Sequence, residues 1–347
     1  MTLNCQWLHH RIDAQRFLGA CTITPRPILP RYDAIFAERL GLPALVVVLM
    51  PLFHSGAFAV ALGMCAVLAA VGVALAARLA GAGRGVAVLA VVLLFTVRGT
   101  TWLARFGSEA PALLGMVAAM CALLSVRIIG PRRAALPFVV AVGWLYAVRP
   151  SSAITLAATL TVVYGVVAVR RRTRTDVLVG GSVAAVLVAE LVAQRLSHSP
   201  GLTETLQDTF SEHFRRRPVG HLWDHYFRLL GHTMPKLASG MLHHPITPLV
   251  ALVGAAVAIA HPRLRLPAVG IVGVALASAI VHPVRSEVPR LLSPATAIEA
   301  MGLAMLLGLV ASRAVTSGAG ARLRTAFGGG DGGGKPITDP IGHFTRF

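Results

Sequence analysis

The stretch AFAVALGMCAVLAAVGVALAA, residues 57–77, decides the fold class because it is long, apolar and free of charged side chains. An α-helix needs roughly 20 apolar residues to cross the hydrocarbon layer of a membrane. Similar runs rich in Leu, Val and Ala recur along the chain without the two-residue alternation of β-strands. Because helices satisfy their own backbone hydrogen bonds in lipid, the sequence predicts an all-α, polytopic helical membrane protein.

The composition supports this class. The chain has 347 residues, of which 55% are hydrophobic and 13% charged, whereas soluble domains average about 25% charged residues. Its mean hydropathy is +0.71. The formal net charge is +18, which in a soluble protein would indicate a nucleic-acid partner. In a membrane protein, arginines in loops set the topology. We therefore expect no nucleic-acid partner, and some arginines that bind an anionic lipid or a phosphate.

The apolar runs predict about nine transmembrane helices. Residues 42–53 are too short to span and contain Pro51, so they predict an interfacial or re-entrant helix. The run at 134–148 is also short, but Arg133 and Arg149 bound it and can reach the two interfaces. The predicted spans are 57–77, 85–104, 109–126, 134–148, 152–169, 177–194, 246–261, 267–281 and 293–312.

The charge pattern predicts the organisation around these spans. Short basic loops follow alternate spans, and such loops are typical of the cytoplasmic side. The prediction has three parts: an extracytoplasmic loop and interfacial helix at 1–56, a helical core at 57–312 with an outer loop at 195–245, and a disordered, Gly-rich cytoplasmic tail at 313–347. We expect a multi-pass protein of the cell membrane. The abundance of Arg and Ala indicates a GC-rich bacterial genome, and hence a bacterial plasma membrane.

Most ionisable groups near the predicted membrane gather on the outer side, among them four carboxylates, Glu109, Glu190, Glu287 and Glu299. Ionisable groups in such positions are rare and indicate function by default. Arginines beside carboxylates are typical of a site that binds an anionic substrate and moves a proton. The alternative is that these side chains pair with each other, cap helices or meet headgroups. The group consists of Arg98, Arg105, Glu109, Arg149, Glu190, Arg285, Glu287, Arg290 and Glu299.

The outer loop carries two amphipathic stretches, 204–217 and 221–242, which predict interfacial helices. Within the second, HLWDH places His221 and His225 on one helix face beside Asp224. Zinc can use such a pair, although spacing fixes no third ligand. Solvated or headgroup-facing histidines are the alternative, so the sequence leaves metal binding open.

Several short motifs follow one another in a characteristic order. The segments are IDAQRFLGA at 12–20, ERLGLPALVVVL at 38–49, GSEAPALL at 107–114, the pair Arg149 and Pro150, and RLLSPA at 290–295. In this order they resemble the GT-C type polytopic glycosyltransferases, which use polyprenyl-phosphate-linked sugars. The resemblance covers roughly residues 12–312. Members of that family normally have a span before the acidic loop, so the resemblance predicts that the first transmembrane span is lacking here.

The resemblance implies transfer of a sugar from a polyprenyl-phosphate donor to a cell-envelope acceptor on the outer face of the membrane. Asp13 would be the general base, and Glu109 would orient the acceptor or help to hold a divalent ion, which some members use. The partners would be the donor and membrane lipid, with no other cofactor predicted. The donor phosphate would be bound by Arg98, Arg149, Arg285 and Arg290.

Two other functions remain open. The protein could be a transporter or flippase for an anionic lipid or solute, or a non-catalytic membrane protein derived from a transferase. No Walker loop is present, so an ATP-driven pump has no support in the sequence. The transferase hypothesis predicts that one outward-facing cavity gathers Asp13, Glu109, Arg149, Arg285 and Arg290.

Overall fold

The computed structural model of the protein describes residues 39–96, 108–197, 201–211, 217–243, 245–284 and 288–316. All regular structure within these ranges is helical, which confirms the all-α prediction. The helices are α1 (Gly41–Phe53), α2 (Ala57–Leu79), α3 (Arg84–Leu94), α4 (Glu109–Ile129), α5 (Pro131–Val148), α6 (Pro150–Arg171), α7 (Arg174–Leu196), α8 (Leu202–Phe210), α9 (Leu222–His243), α10 (Ile246–Ala260), α11 (Arg265–Val281), α12 (Val288–Leu291) and α13 (Thr296–Thr316).

The described residues fall into two compact units. The small unit contains residues 201–211 and 217–225, and the large unit contains the others. In the large unit, successive helices form antiparallel pairs, with α4 against α5 and α6 against α7. Further contacts join α2 to α4, α10 to α13, α3 to α13 and α6 to α11. Short connections explain the pairing, because neighbouring antiparallel helices need only a few residues between them.

The prediction of nine spans is wrong, because fewer helices of the described chain are long and apolar enough to cross a membrane. Five stretches of the described chain are long and apolar enough to cross a membrane, or six if α9 and α10 together form one broken span. These five are Gly41–Leu79, Glu109–Ile129, Pro150–Arg171, Arg174–Leu196 and Val288–Arg313. These five or six helices are consistent with a membrane protein, but the expectation of nine spans does not hold.

The missing spans have identifiable physical causes. Helix α10 has 15 residues and α11 has 17, so at about 1.5 Å per residue each is shorter than a hydrocarbon layer of about 30 Å. The described part of α3 has 11 residues, and the rest of the predicted span at 85–104 lies largely outside the described residues. Helix α5 has 18 residues but carries Arg132 and Arg133 in its first turn, which shortens its apolar part.

The predicted interfacial segments are also helical. Helix α1 covers the short run at 42–53, and it packs through Leu42 and Leu49 against the start of α2. Helices α8 and α9 lie within the two amphipathic stretches of the outer loop. Helix α9 meets α10 at an angle of 100°. By its length and composition, this bent pair is either a broken span or a re-entrant loop.

The connections of α2–α3 and α10–α11 meet at one end of the large unit, which we call the Arg263 end. The guanidinium of Arg78 donates a hydrogen bond to the carbonyl oxygen of Ala82, 2.7 Å away. A Cβ atom at Gly81 would lie 2.7 Å from Nη1 of Arg263. Gly81 also has a φ of +98°, which favours glycine. Two of the short basic loops therefore share one end, as their alternation along the sequence predicts.

Helix crossings in the large unit rely on small residues. Ala61, Ala69 and Ala76 are completely buried on one face of α2. The closest crossing joins α10 to α13, where a Cβ atom at Gly302 would overlap the carbonyl oxygen of Gly254. A Cβ atom at Gly254 would overlap the backbone of Glu299 in turn. Because lipid provides little hydrophobic drive between helices, such backbone contacts supply much of the packing energy.

Substitution of Gly302 by Ala should force α10 and α13 apart. Overpacking of a tight contact costs typically 1–3 kcal/mol, so we expect a loss of stability of about that size. The measurement is the thermal midpoint in detergent, read by size-exclusion chromatography. Gly63→Ala is the matched control, since a Cβ atom at helical Gly63 would have nothing within 4 Å. Equal midpoints for Gly302→Ala and Gly63→Ala would contradict the close crossing.

His261, at the Arg263 end, predicts a pH dependence. Burial is the larger cause that lowers the pKa of His261 from its ordinary value of 6.5, and the positive charge of Arg263 lowers it further. As the pH falls through about 6.5, the unfolded chain binds a proton that the folded chain does not, so stability decreases. The slope from this group is at most about 1.4 kcal/mol per pH unit. Unfolding titrations should show that His261→Gln flattens this slope, whereas His232→Gln, at an exposed position, leaves it unchanged.

Candidate functional site

Glu109 is buried at the first position of α4. Its side chain is only 5% exposed, although it follows a segment that the sequence places at a membrane surface. It is the acidic residue of the first helical turn. A carboxylate in this position interacts favourably with the unpaired backbone N–H groups and the positive end of the helix dipole.

Arg290 supplies the charge partner of Glu109. Its Nε atom lies 3.3 Å from Oε1 of Glu109, which makes an ion pair between segments far apart in the sequence. Arg290 belongs to α12, the short helix between α11 and α13. Its own side chain remains 41% exposed. One partner is thus fixed inside the protein while the other keeps a face that an anion can reach.

Packing holds α12 in place on both sides of Arg290. Val288 and Leu291 are buried in a small apolar cluster with Ala279 of α11 and Leu237 of α9. The hydroxyl of Tyr226 donates a hydrogen bond to the carbonyl oxygen of Ile280, 2.9 Å away. Helix α9 is therefore attached to the end of α11 and to α12 at once. This attachment restricts the position from which Arg290 reaches Glu109.

Arg149 lies at the turn between α5 and α6, with only 8% of its surface exposed. Its backbone N–H donates to the carbonyl oxygen of Leu145 at 2.7 Å, and its own carbonyl oxygen accepts from the N–H groups of Ser152 and Ala153. One residue thus ends α5 and starts α6. Pro150 follows at the first position of α6, where its missing N–H costs nothing.

The Arg149 turn and the start of α4 share one end of the large unit. The indole Nε1–H of Trp144, near the end of α5, donates to the carbonyl oxygen of Pro111 at 2.9 Å. This bond ties the last turns of α5 to the first turn of α4. We call this end, defined by Glu109, Arg149 and Arg290, the Glu109 end.

The start of α1 also reaches the Glu109 end. A Cβ atom at Gly41 would lie 2.9 Å from Cγ2 of Val148, the residue before Arg149. Arg39 precedes this contact by two residues, and its Nε atom is buried. The sequence matched Arg39 to a family motif without assigning it to the site. Gly41, two positions later, is the sequence feature that could have indicated Arg39 as a site residue, because a glycine there permits the close approach to Val148.

Two further acids are buried in the large unit. Glu299 is 8% exposed in the first turn of α13, next to the turn where the hydroxyl of Thr296 donates to the carbonyl oxygen of Ser293. Glu190 is 6% exposed and lies in the last third of α7. The sequence placed both acids in the outer cluster.

The structure brings Glu109 and Arg290 together and places Arg149 at the same end of the large unit. Asp13, Arg98 and Arg285 lie outside the described residues. The catalytic and phosphate-binding roles of all six residues remain predictions. The ion pair itself was not predicted, because nothing in the sequence distinguishes which arginine meets which acid.

Metal binding gains no support from the described residues. In the small unit, Nδ1 of His221 lies 3.9 Å from Oδ2 of Asp224, and both side chains are largely exposed. The ring of His225 contacts the ring of Phe210, with centroids 6.0 Å apart. Within the ranges that the structure describes, no three His, Cys, Asp or Glu side chains are grouped to hold a metal ion. Among the described residues, no third ligand for zinc stands beside the HLWDH motif.

The small unit has a simpler architecture. The side-chain amide of Gln207 donates to the carbonyl oxygen of Val219 at 2.8 Å and accepts from its N–H at 3.0 Å. These two bonds fix the segment after α8 against that helix. Leu206 is the buried apolar contact of α8. The small unit is thus held by local hydrogen bonds between a side chain and the backbone.

No protein-family model matches the chain, and comparison with curated proteins and with solved structures found no similar protein.

The ion pair predicts a specific pattern of stability. Arg290→Ala should cost about 1–3 kcal/mol, because it leaves the buried carboxylate of Glu109 without its charge partner. The double variant Arg290→Ala, Glu109→Gln should recover more than half of that loss, since the amide carries no charge. The measurement is a double-mutant cycle of unfolding free energies. Arg195→Ala, at an exposed position, is the control, and additive losses for Arg290 and Glu109 would contradict the pair.

Proposed function

We propose that the protein is an integral membrane glycosyltransferase that moves a sugar from a polyprenyl-phosphate donor to a cell-envelope acceptor. The observation that carries the proposal is the fixed arginine of the Glu109 end, where the buried carboxylate of Glu109 holds Arg290 and leaves part of its side chain exposed. A guanidinium presented in this way suits a phosphate, because its planar donors match phosphate oxygens.

Arg149 adds a second guanidinium at the same end. Its burial at a helix junction removes water from around the charge, which strengthens its interaction with an anion. Arg98 and Arg285 complete the proposed phosphate site from the sequence. In the reaction, the bond between the anomeric carbon and the phosphate oxygen breaks, and its electron pair stays on the phosphate. The arginines stabilise that developing charge.

Asp13 is the proposed base. It removes the proton from the acceptor hydroxyl as the oxygen attacks the anomeric carbon, which conserves charge and atoms across the transfer. Glu109 has a different role, because its carboxylate is paired with Arg290. We assign it the positioning of Arg290 and, through Arg290, of the donor phosphate. The expected location is a bacterial plasma membrane, with the donor in the outer leaflet.

The transfer assay uses membranes that contain the full chain and a polyprenyl-phosphate donor with a radiolabelled sugar. Arg149→Lys keeps the charge but loses the planar fork, so the rate should fall by about 10²-fold. Asp13→Asn should reduce it by on the order of 10²-fold or more. Arg133→Ala is the matched control, since Arg133 is exposed at the start of α5, and its rate should stay within about twofold.

The same membranes separate this function from its alternatives. An unchanged rate for Asp13→Asn would remove Asp13 as the base. If the natural chain transfers no sugar but moves a fluorescent polyprenyl phosphate between the leaflets of vesicles, the protein is a flippase. If it does neither with any donor tested, the non-catalytic alternative stands.

A further inference from the structure

Glu190 is a carboxyl group inside a membrane span without a partner. Its surface is 6% exposed, and it belongs to Arg174–Leu196, one of the five stretches that can cross a membrane. Both of its carboxyl oxygens are buried and have no hydrogen-bond partner in the described part of the chain. Glu109 is equally buried but has Arg290. The two acids therefore have similar burial and opposite electrostatic surroundings.

Glu190 shares a face of α7 with apolar residues. The other buried residues of this helix are Val179, Gly180, Val183 and Val186, at spacings of three and four. This face packs against α6 and α5. A side chain on it points into the protein and not into lipid, which agrees with the low exposure of Glu190.

The helix register shows which part of α6 is level with Glu190. A Cβ atom at Gly180 would lie 3.5 Å from the carbonyl oxygen of Tyr164 and 3.8 Å from Cβ of Ala168. Because α6 and α7 are antiparallel, ten residues along α7, or about 15 Å, bring Glu190 level with Leu156. Ser152 lies one helical turn further along α6. Its hydroxyl is also buried without a hydrogen-bond partner in the described chain.

The charged groups of the packed helices lie away from this level. The charged residues of α5, α6, their junction and α7 lie near helix ends. Two tyrosines lie within α5 and α6. No ion pair joins Glu190 to a cation of the described residues. The groups are Arg132, Arg133, Tyr146, Arg149, Tyr164, Arg170, Arg171, Arg174, Asp176 and Arg195.

An ionised carboxylate in these surroundings would have neither water nor a counter-ion. Burial without a partner strongly disfavours the charged form, and such a group takes up a proton instead. We propose that Glu190 is a proton-binding site within the span, a neutral carboxylic acid at neutral pH. The ligand is a proton taken from water, which converts the carboxylate to an O–H group and leaves no net charge in the apolar interior. This site is separate from the phosphate site proposed at the Glu109 end.

Infrared difference spectroscopy on the full chain in lipid nanodiscs tests the proposal directly. A protonated carboxyl has a C=O stretch in a region where ionised carboxylates do not absorb, and the band shifts in D₂O. The spectrum of the natural chain minus that of Glu190→Gln at pH 7 should contain this band. Glu109→Gln is the matched control and should remove no such band, because its buried carboxylate has Arg290 as a charge partner. Absence of the band from the Glu190 difference spectrum would overturn the proposal.

The substitution itself is mild, which keeps the experiment interpretable. Glutamine has the shape of a neutral glutamic acid, so Glu190→Gln should elute as the natural chain does on size exclusion.

A chemical measurement gives an independent answer. A hydrophobic carbodiimide reacts with the protonated acid: the acid proton moves to a carbodiimide nitrogen and the carboxyl oxygen bonds to the central carbon. The acyl group then migrates from oxygen to nitrogen and leaves a stable N-acylurea. Peptide mass spectrometry of treated nanodiscs should find this product on Glu190 at least tenfold more often than on Glu109. Preferential labelling of Glu109 would contradict the proposed difference between the two acids.

Discussion

Close approach of helix backbones is the constraint on which the large unit depends. Within lipid, apolar side chains gain little by leaving one apolar environment for another, so contact area alone does not hold helices together. Glycine and alanine occupy the positions where helices cross. Gly115 in α4 lies against Leu145 and the backbone of α5, and Gly270 in α11 lies against Leu160 of α6. At Gly254 and Gly302, the backbones of α10 and α13 are in direct contact.

These crossings also explain how so few charges can be arranged with precision. Once α4 and α5 are held by small residues and by the bond from Trp144 to Pro111, the starts and ends of several helices come together. The charged residues of the Glu109 end sit at those starts and ends, where local backbone groups and helix dipoles already favour them. The ion pair between Glu109 and Arg290 then joins α12 to α4. Long-range electrostatics thus depends on short-range packing.

The sequence predicted the helices far better than it predicted their relation to a membrane or to each other. Every apolar run that the structure describes is helical, and α4 begins at Glu109 as expected. Hydropathy could not separate a buried short helix such as α11 from a true span, because both are apolar throughout. The pairing of Glu109 with Arg290 depends on contacts between distant segments, for which the sequence carries no period. The gathering of acids on the outer side was visible in the sequence, but only contacts between distant segments distinguish Glu109, paired with Arg290, from Glu190, which has no partner in the described chain.

The attachment of α9 has a mechanical consequence. Leu237 packs against the apolar cluster that contains Val288 and Leu291 of α12, and Tyr226 is bonded to the end of α11. Elsewhere on this helix, Phe227 is 62% exposed and Met241 is 42% exposed. Helix α9 is thus linked to α12, and through Arg290 to the first turn of α4. A shift of α9 would therefore move α12 and change the distance between Arg290 and Glu109.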